Sequence, residues 1–369
     1  MSFPLSEVFL NVLPLGPQGS TIPHVPGRLF AWQALFGLHV QIQPFEKRRA
    51  FKWGFNEAVL YDEAADRQKL FIESLHPFQF FERNERDCRS LAIVARAIPT
   101  KGIQVALIGR VLGETREHAV HTSQEYLQQV LAACPYDFQL APAASEEEYQ
   151  QLCCADLLAQ DNLQMRLLQV RRQEVLLNLP GSAAILNGNW SSSPHADEQI
   201  WRALSHCNSP AFVQILLTPA MVFDEERQAM LDLKQAWKLV PTNGQVGISG
   251  LEKLVDQYVE RYSRFAQKYY HLQVHLLTAL NADGHLSAAA GSAITRPDAK
   301  TILSGYSLLE SGQDAQSWAW RSAHLEFNRP LRTPGGLERL RDLVDLNEAV
   351  SVFRLPYPPA ATIPDLNFV

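Results

Sequence analysis

Ile103-Gln104-Val105-Ala106-Leu107-Ile108-Gly109-Arg110-Val111-Leu112 is the stretch whose reading decides the fold. It is apolar almost throughout and is entered through Thr100-Lys101-Gly102, a turn. A short run of this kind bounded by turn residues reads as a strand buried on both faces. Downstream, Ala119, Leu127, Val130 and Leu131 are spaced as the inner positions of a helix over about 114–133, which Pro135 closes. Tyr136-Asp137-Phe138-Gln139-Leu140 then reads as a short strand. Ser145-Glu146-Glu147-Glu148 is a helix start, with a capping hydroxyl and acids at the positive end of the macrodipole. Strand, helix, strand, helix places the chain among mixed α/β, or α+β, proteins.

The same alternation returns further on. Glu174–Leu179 and Ala211–Leu217 have strand character, while 197–206 and 224–239 are helical. A long helix is expected over 251–270, feeding a strand at 272–280 and a small-residue helix at 286–294. Two loosely similar α/β halves therefore follow a β-rich N-terminal part, in which Leu29–Trp32 and Leu38–Ile42 alternate as strands do. Residues 57–66 are polar and acidic and suggest a connector. The resulting division is 1–66, 67–180, 181–334 and a last segment, 335–369. In that segment Leu337, Leu340, Leu343, Val344 and Leu346 recur at helical spacing, and a proline-rich strap (Pro356, Pro358, Pro359, Pro364) follows.

Composition narrows the class. Of 369 residues 46% are hydrophobic and 20% charged, which fits a folded chain of two or three domains. A net charge of -6 is not a global nucleic-acid footprint. No apolar run approaches the roughly 20 residues that span a bilayer, and no secretory leader is evident, so the expectation is a cytoplasmic protein without a membrane span. The cysteines number five and form no Cys-x-x-Cys pair, which argues against a disulfide framework or zinc site.

Local chemistry is sparse. Gly109-Arg110-Val111-Leu112-Gly113-Glu114-Thr115 has the strand-to-helix setting of a phosphate loop. It is one residue short between its glycines, however, and puts a carboxylate where a lysine would meet the phosphates. His118 and His121, and His271 and His275, have metal-pair spacing but no evident third ligand. Trp190, Trp201, Trp237, Trp318 and Trp320 read as core or interface anchors. Lys47, Arg48, Arg49 and Lys52 interleave with Phe45, Phe51 and Trp53, a pattern that suits a phosphate backbone or an exposed strand edge. With Arg171 and Arg172 they are the candidates for touching DNA or a neighbouring subunit.

Leu346-Asn347-Glu348-Ala349-Val350-Ser351-Val352-Phe353-Arg354-Leu355-Pro356 resembles the segment that leads into the motor domain in the HerA/FtsK branch of P-loop ATPases, which includes conjugation and type IV secretion motors. The likeness extends in weaker form over about 169–369. It implies the N-terminal, non-motor region of a hexameric DNA translocase, or an accessory subunit, whose partners are further copies of itself or a P-loop ATPase. Glu348, Phe353, Arg354 and Pro356 would then be junction residues that transmit motor movement. The sequence contains no Gly-x-x-x-x-Gly-Lys-Ser/Thr, so no catalytic residue, metal or cofactor is expected on this chain. The alternatives are an enzyme with a site assembled in one α/β half, or a structural subunit of a secretion or defence assembly.

Overall fold

The computed structural model describes residues 8–15, 30–42, 57–76, 89–98, 101–158, 165–179, 182–192, 196–238, 251–263, 268–279, 284–296, 303–312, 315–326, 338–357 and 368. In chain order the elements are β1 (Asn11–Pro14), β2 (Trp32–Ile42), α1 (Glu57–Ser74), β3 (Arg89–Ile98), β4 (Gly102–Gly113), α2 (Arg116–Ala133), β5 (Phe138–Pro142), α3 (Glu146–Leu152) and α4 (Ala155–Leu158). Then come β6 (Met165–Arg172), β7 (Glu174–Leu179), β8 (Ser182–Asn187), α5 (Ala196–Ser205), β9 (Ala211–Ala220), α6 (Asp224–Lys238) and α7 (Leu251–Ser263). The rest is β10 (Tyr269–Ala279), α8 (His285–Ile294), β11 (Tyr306–Glu310), α9 (Ala315–Ala323), a 3-10 turn (Glu338–Arg341), β12 (Leu343–Asp345) and α10 (Leu346–Val352).

The protein is α+β, built on one large antiparallel sheet with order β1-β2-β4-β3-β9-β10-β6-β11. β5 shares the outer edge of β2 with β1, and β12 pairs with β10. Two units of the same topology make up this sheet. In the first, β2-α1-β3-β4-α2-β5 runs strand-helix-strand-strand-helix-strand, with its fourth strand beside its first and its third between first and second. In the second, β6-α5-β9-β10-α8-β11 repeats that arrangement. This is the split βαβ, ferredoxin-like motif. The units meet through their second strands, β3 and β9, antiparallel from Leu91↔Leu217 to Ala97↔Ala211. Two copies of one topology are thus joined about an approximate two-fold axis at that seam, and they differ from the expected halves: β2 of the first unit lies in the part set apart as 1–66, and β6 of the second lies in the expected first half.

The second unit carries two additions, the β7–β8 hairpin after its first strand and α6–α7 between its second and third. The first unit closes its corresponding hairpin in a tight turn. Ile98↔Gly102 is the last pair, and Gly102 has φ +127, a conformation a side chain would strain.

One main core lies between the sheet and α1, α2, α5, α8 and α10. A second, on the opposite face, is covered by α3, α4 and residues near α9, and a third surrounds α6, α7 and the β7–β8 hairpin. Cover on both faces explains why β3, β4 and β9 read as continuous apolar runs. It also explains the glycines of the rejected phosphate loop. A Cβ on Gly109 would come within 2.1 Å of the Phe36 ring, and one on Gly113 within 2.5 Å of the Ala119 backbone. They are there because strand and helix approach closely.

Several expectations are corrected. The acidic stretch 57–66 is the first half of α1, not a connector. Its alanines, glutamates and leucines are strong helix formers, and Ala64, Gln68, Phe71, Ile72 and Leu75 fall on one buried stripe. Accordingly the expected boundary at 66/67 falls inside a helix, and that at 180/181 between the strands of one hairpin. The helix expected over 251–270 stops at Ser263, and β10 already begins at Tyr269. His271 and His275 therefore lie within one strand rather than at a helix-to-strand junction. The last segment is not helical through Leu343 and Val344, which form β12, buried against β10. Among the described residues no helix is long and apolar enough to cross a membrane.

Candidate functional site

Two features of the second unit gather the residues singled out by sequence, and they lie on opposite faces of the sheet. On the helix-covered face β12 runs beside the first residues of β10, Tyr269↔Asp345 to His271↔Leu343, continuing the edge that β6 leaves at Val274. Asp345 caps α10 by accepting from the Glu348 amide at 2.9 Å. The cap fixes the first turn of α10 and aims Glu348 inward, where it is 5% exposed.

The Glu348 carboxylate accepts from Arg172 Nη1 at 3.2 Å, from Arg261 Nη1 at 3.4 and 3.5 Å, and from the Trp190 amide at 2.9 Å. Arg172 also donates to the carbonyls of Arg341 and Leu343, and Tyr262 Oη donates to Leu343 O at 2.8 Å. Burial works against the charge on both arginines, yet the neighbouring Glu348 and Tyr262 outweigh it and both guanidiniums are held above their ordinary range. Strand β6, helix α7, the β8–α5 connection and the C-terminal segment thus converge on one carboxylate.

The segment continues into the first unit. Phe353 is 1% exposed within the main core, and Leu355 and Pro356 are buried. Gln68 of α1 grips Leu355 on both sides: its Nε2 donates to Leu355 O, and its Oε1 accepts from Leu355 N, each at 3.0 Å. Arg354 turns back, its Nε donating to Val350 O. The four junction candidates are therefore brought together in a latch that touches both units. Where a helix and a proline-rich linker toward a motor domain were expected over 335–369, residues 343–357 are strand, helix and a largely buried stretch of the fold. Phe368 forms a bridge with Ile103, and Pro358, Pro359 and Pro364 lie outside the described residues.

Across the sheet lies a cleft walled by Gln169 and Arg171 of β6, Gln273 and His275 of β10, and Trp318 and Arg321 of α9. Alternation along β6 puts Arg171 here and Arg172 in the latch. Arg172, expected beside Arg171 as a DNA or subunit contact, is buried and engaged internally, so it is not presented to a partner. The Arg171 Nε donates to Gln169 Oε1 at 3.0 Å. His275 Nδ1 lies 3.3 Å from Gln214 Oε1, which assigns the proton to Nδ1; Gln214 in turn donates to Ser322 O and accepts from Ser322 Oγ. Burial, aided by Arg171, holds the His275 imidazole down to about 4. Gln273 donates to Asp342 at 2.8 Å, and burial raises that carboxyl above its usual range. Lys47, Arg48, Arg49 and Lys52 lie outside the described residues.

Among the described residues no group of three or more His, Cys, Asp or Glu can hold a metal. The cleft offers one imidazole and one carboxylate, Glu326. Cys153 and Cys154 are buried, and burial pushes the Cys153 thiol up to about 11, away from nucleophilic use.

Fold and site together define a class: an α+β protein of two joined split-βαβ units, closed by a C-terminal latch. No protein-family model matches the chain, and no curated protein matches it.

Proposed function

We propose that this chain is the non-hydrolysing assembly and partner-binding region of a HerA/FtsK-like DNA-translocating ATPase, acting as an N-terminal module or accessory subunit in the cytoplasm. The reading rests on the segment 346–356, whose sequence resembles the approach to such motors. Its support in the fold is where that segment sits, with Glu348 held by the second unit and Leu355 by the first. A pull on the chain beyond Tyr357 would load both units at once. Phe353 and Pro356 are buried, so on this reading coupling passes through packed residues as far as Tyr357. The enzyme alternative calls for converging carboxylates and histidines, which the cleft does not supply.

The test is to mix the purified chain with the product of the neighbouring gene, following ATPase rate and particle mass. A complex with an altered rate is expected. Absence of both, or ATP turnover by the chain alone, would overturn the assignment.

A further inference from the structure

We propose that the cleft on the open face of the second unit binds a phosphate-type oxyanion between the guanidiniums of Arg171 and Arg321. This inference rests on the cleft alone and is independent of the motor reading.

Its first support is a contrast among arginines. Arg67, Arg96 and Arg166 each make a two-pronged contact with a carboxylate, on Asp137, Asp156 and Glu310. Arg172 and Arg261 share Glu348. Arg171 and Arg321 line the same cleft, and no described carboxylate lies within 4.0 Å of either guanidinium. Asp342 and Glu174 act on Arg171 through space, but neither pairs with it directly, so an anion entering the cavity can take the direct contacts of both guanidiniums.

The second support is how the nearby carboxylates are occupied. Glu326 at the cleft wall is 3.5 Å from the guanidinium of Arg110, and Asp342 accepts from Gln273 behind the wall. Both carboxylates thus have other direct partners, although Asp342 also acts on Arg171 through space.

The third is pre-organisation. Gln169 fixes the Arg171 Nε, which leaves its two terminal nitrogens as further donors. Arg321 lines the same cleft from a different element, the helix α9. That geometry suits a tetrahedral oxyanion with several acceptor oxygens. Leu167 and Trp318 supply low-dielectric walls that strengthen the attraction. The cleft is shallow and open at its mouth, so it takes an anionic group rather than a whole nucleotide. The group can belong to free phosphate or to a phosphodiester backbone.

The experiment is a calorimetric titration of the full chain at low salt, with inorganic phosphate in one arm and a short single-stranded oligodeoxynucleotide in the other. Saturable phosphate binding is expected, weakened roughly tenfold or more by Arg171→Gln and by Arg321→Gln, as loss of a charge-assisted pair implies. If the backbone is the natural source, the oligonucleotide binds more tightly and phosphate competes with it; if free phosphate is, only the first arm binds. Unfolding midpoints run in parallel, and Arg321→Gln, at a half-buried position of α9, stands in should Arg171→Gln fail to fold. No saturable binding in either arm, retained affinity in the double variant, or oligonucleotide binding that phosphate does not displace would each overturn the proposal.

Discussion

The two faces of strand β6 treat the same residue type in opposite ways. Arg172 enters a closed network in which Glu348 meets two guanidiniums and a backbone amide. Arg171, one residue earlier, lines a cleft with a neighbouring amide as its hydrogen-bond partner and with Asp342 and Glu174 acting on it only through space. The difference is not one of local sequence. Past β6 the chain supplies a capped helix with a carboxylate on one face, and on the other a helix with a tryptophan and another arginine. What teaches most is that charge is neutralised where the fold must close and left open where the fold does not need it.

The largest effect should follow from breaking the closed side. Glu348→Gln leaves two buried guanidiniums without their anion, and a loss of about 3–5 kcal/mol in urea unfolding is expected. A loss below about 1 kcal/mol would mean that water or another acceptor reaches the arginines. Gln68→Ala comes next. It removes both hydrogen bonds to the buried Leu355 backbone, for an expected cost of roughly 2–3 kcal/mol. Hydrogen exchange at the Leu355 amide should rise in this variant more than at the β3–β9 seam.

His275 gives a smaller, pH-dependent effect. Its folded pKa lies below the unfolded value of about 6.5, so the unfolded state binds the proton first. Stability is then full above about pH 6.5 and falls as pH drops toward 4, by on the order of 1–3 kcal/mol for a group that keeps some exposure. His275→Gln should flatten this part of the urea-midpoint profile, and an unchanged profile would refute it. The smallest effect on stability belongs to the open side. Arg171→Gln should alter the unfolding free energy by less than about 1 kcal/mol, because no ion pair is lost. A large loss there would erase the contrast between the faces.

Much of the secondary structure was legible. The strand at 102–113, the helix after it and the Ser145 cap follow from period, punctuation and capping chemistry. α1 was obscured because its exposed face is acidic, and acidity resembles a connector until the buried stripe at Ala64, Gln68 and Phe71 is counted. The strand order was not legible, since pairings such as β3 with β9 join residues more than a hundred positions apart and leave no local trace. Of the candidate sites, Glu348 and Arg172 were both named from sequence, but their contact across 176 positions was not foreseen. One signal was available for separating Arg171 from Arg172. Neighbours on a strand point to opposite faces, so recognising a strand over Met165–Arg172, which the sequence reading did not do, would have separated the pair.

The grip of Gln68 on Leu355 joins positions 287 residues apart, and it bears on how the chain is made. At a translation rate of about 5–20 residues per second, roughly fifteen seconds to a minute pass between the appearance of one partner and the other. During that interval the apolar stripe of α1 lacks its final cover, whatever the rest of the sheet has achieved. Closure then waits on the synthesis of Leu355, and nascent chains halted before it should be the forms most readily taken up by holdase chaperones or cut by proteases.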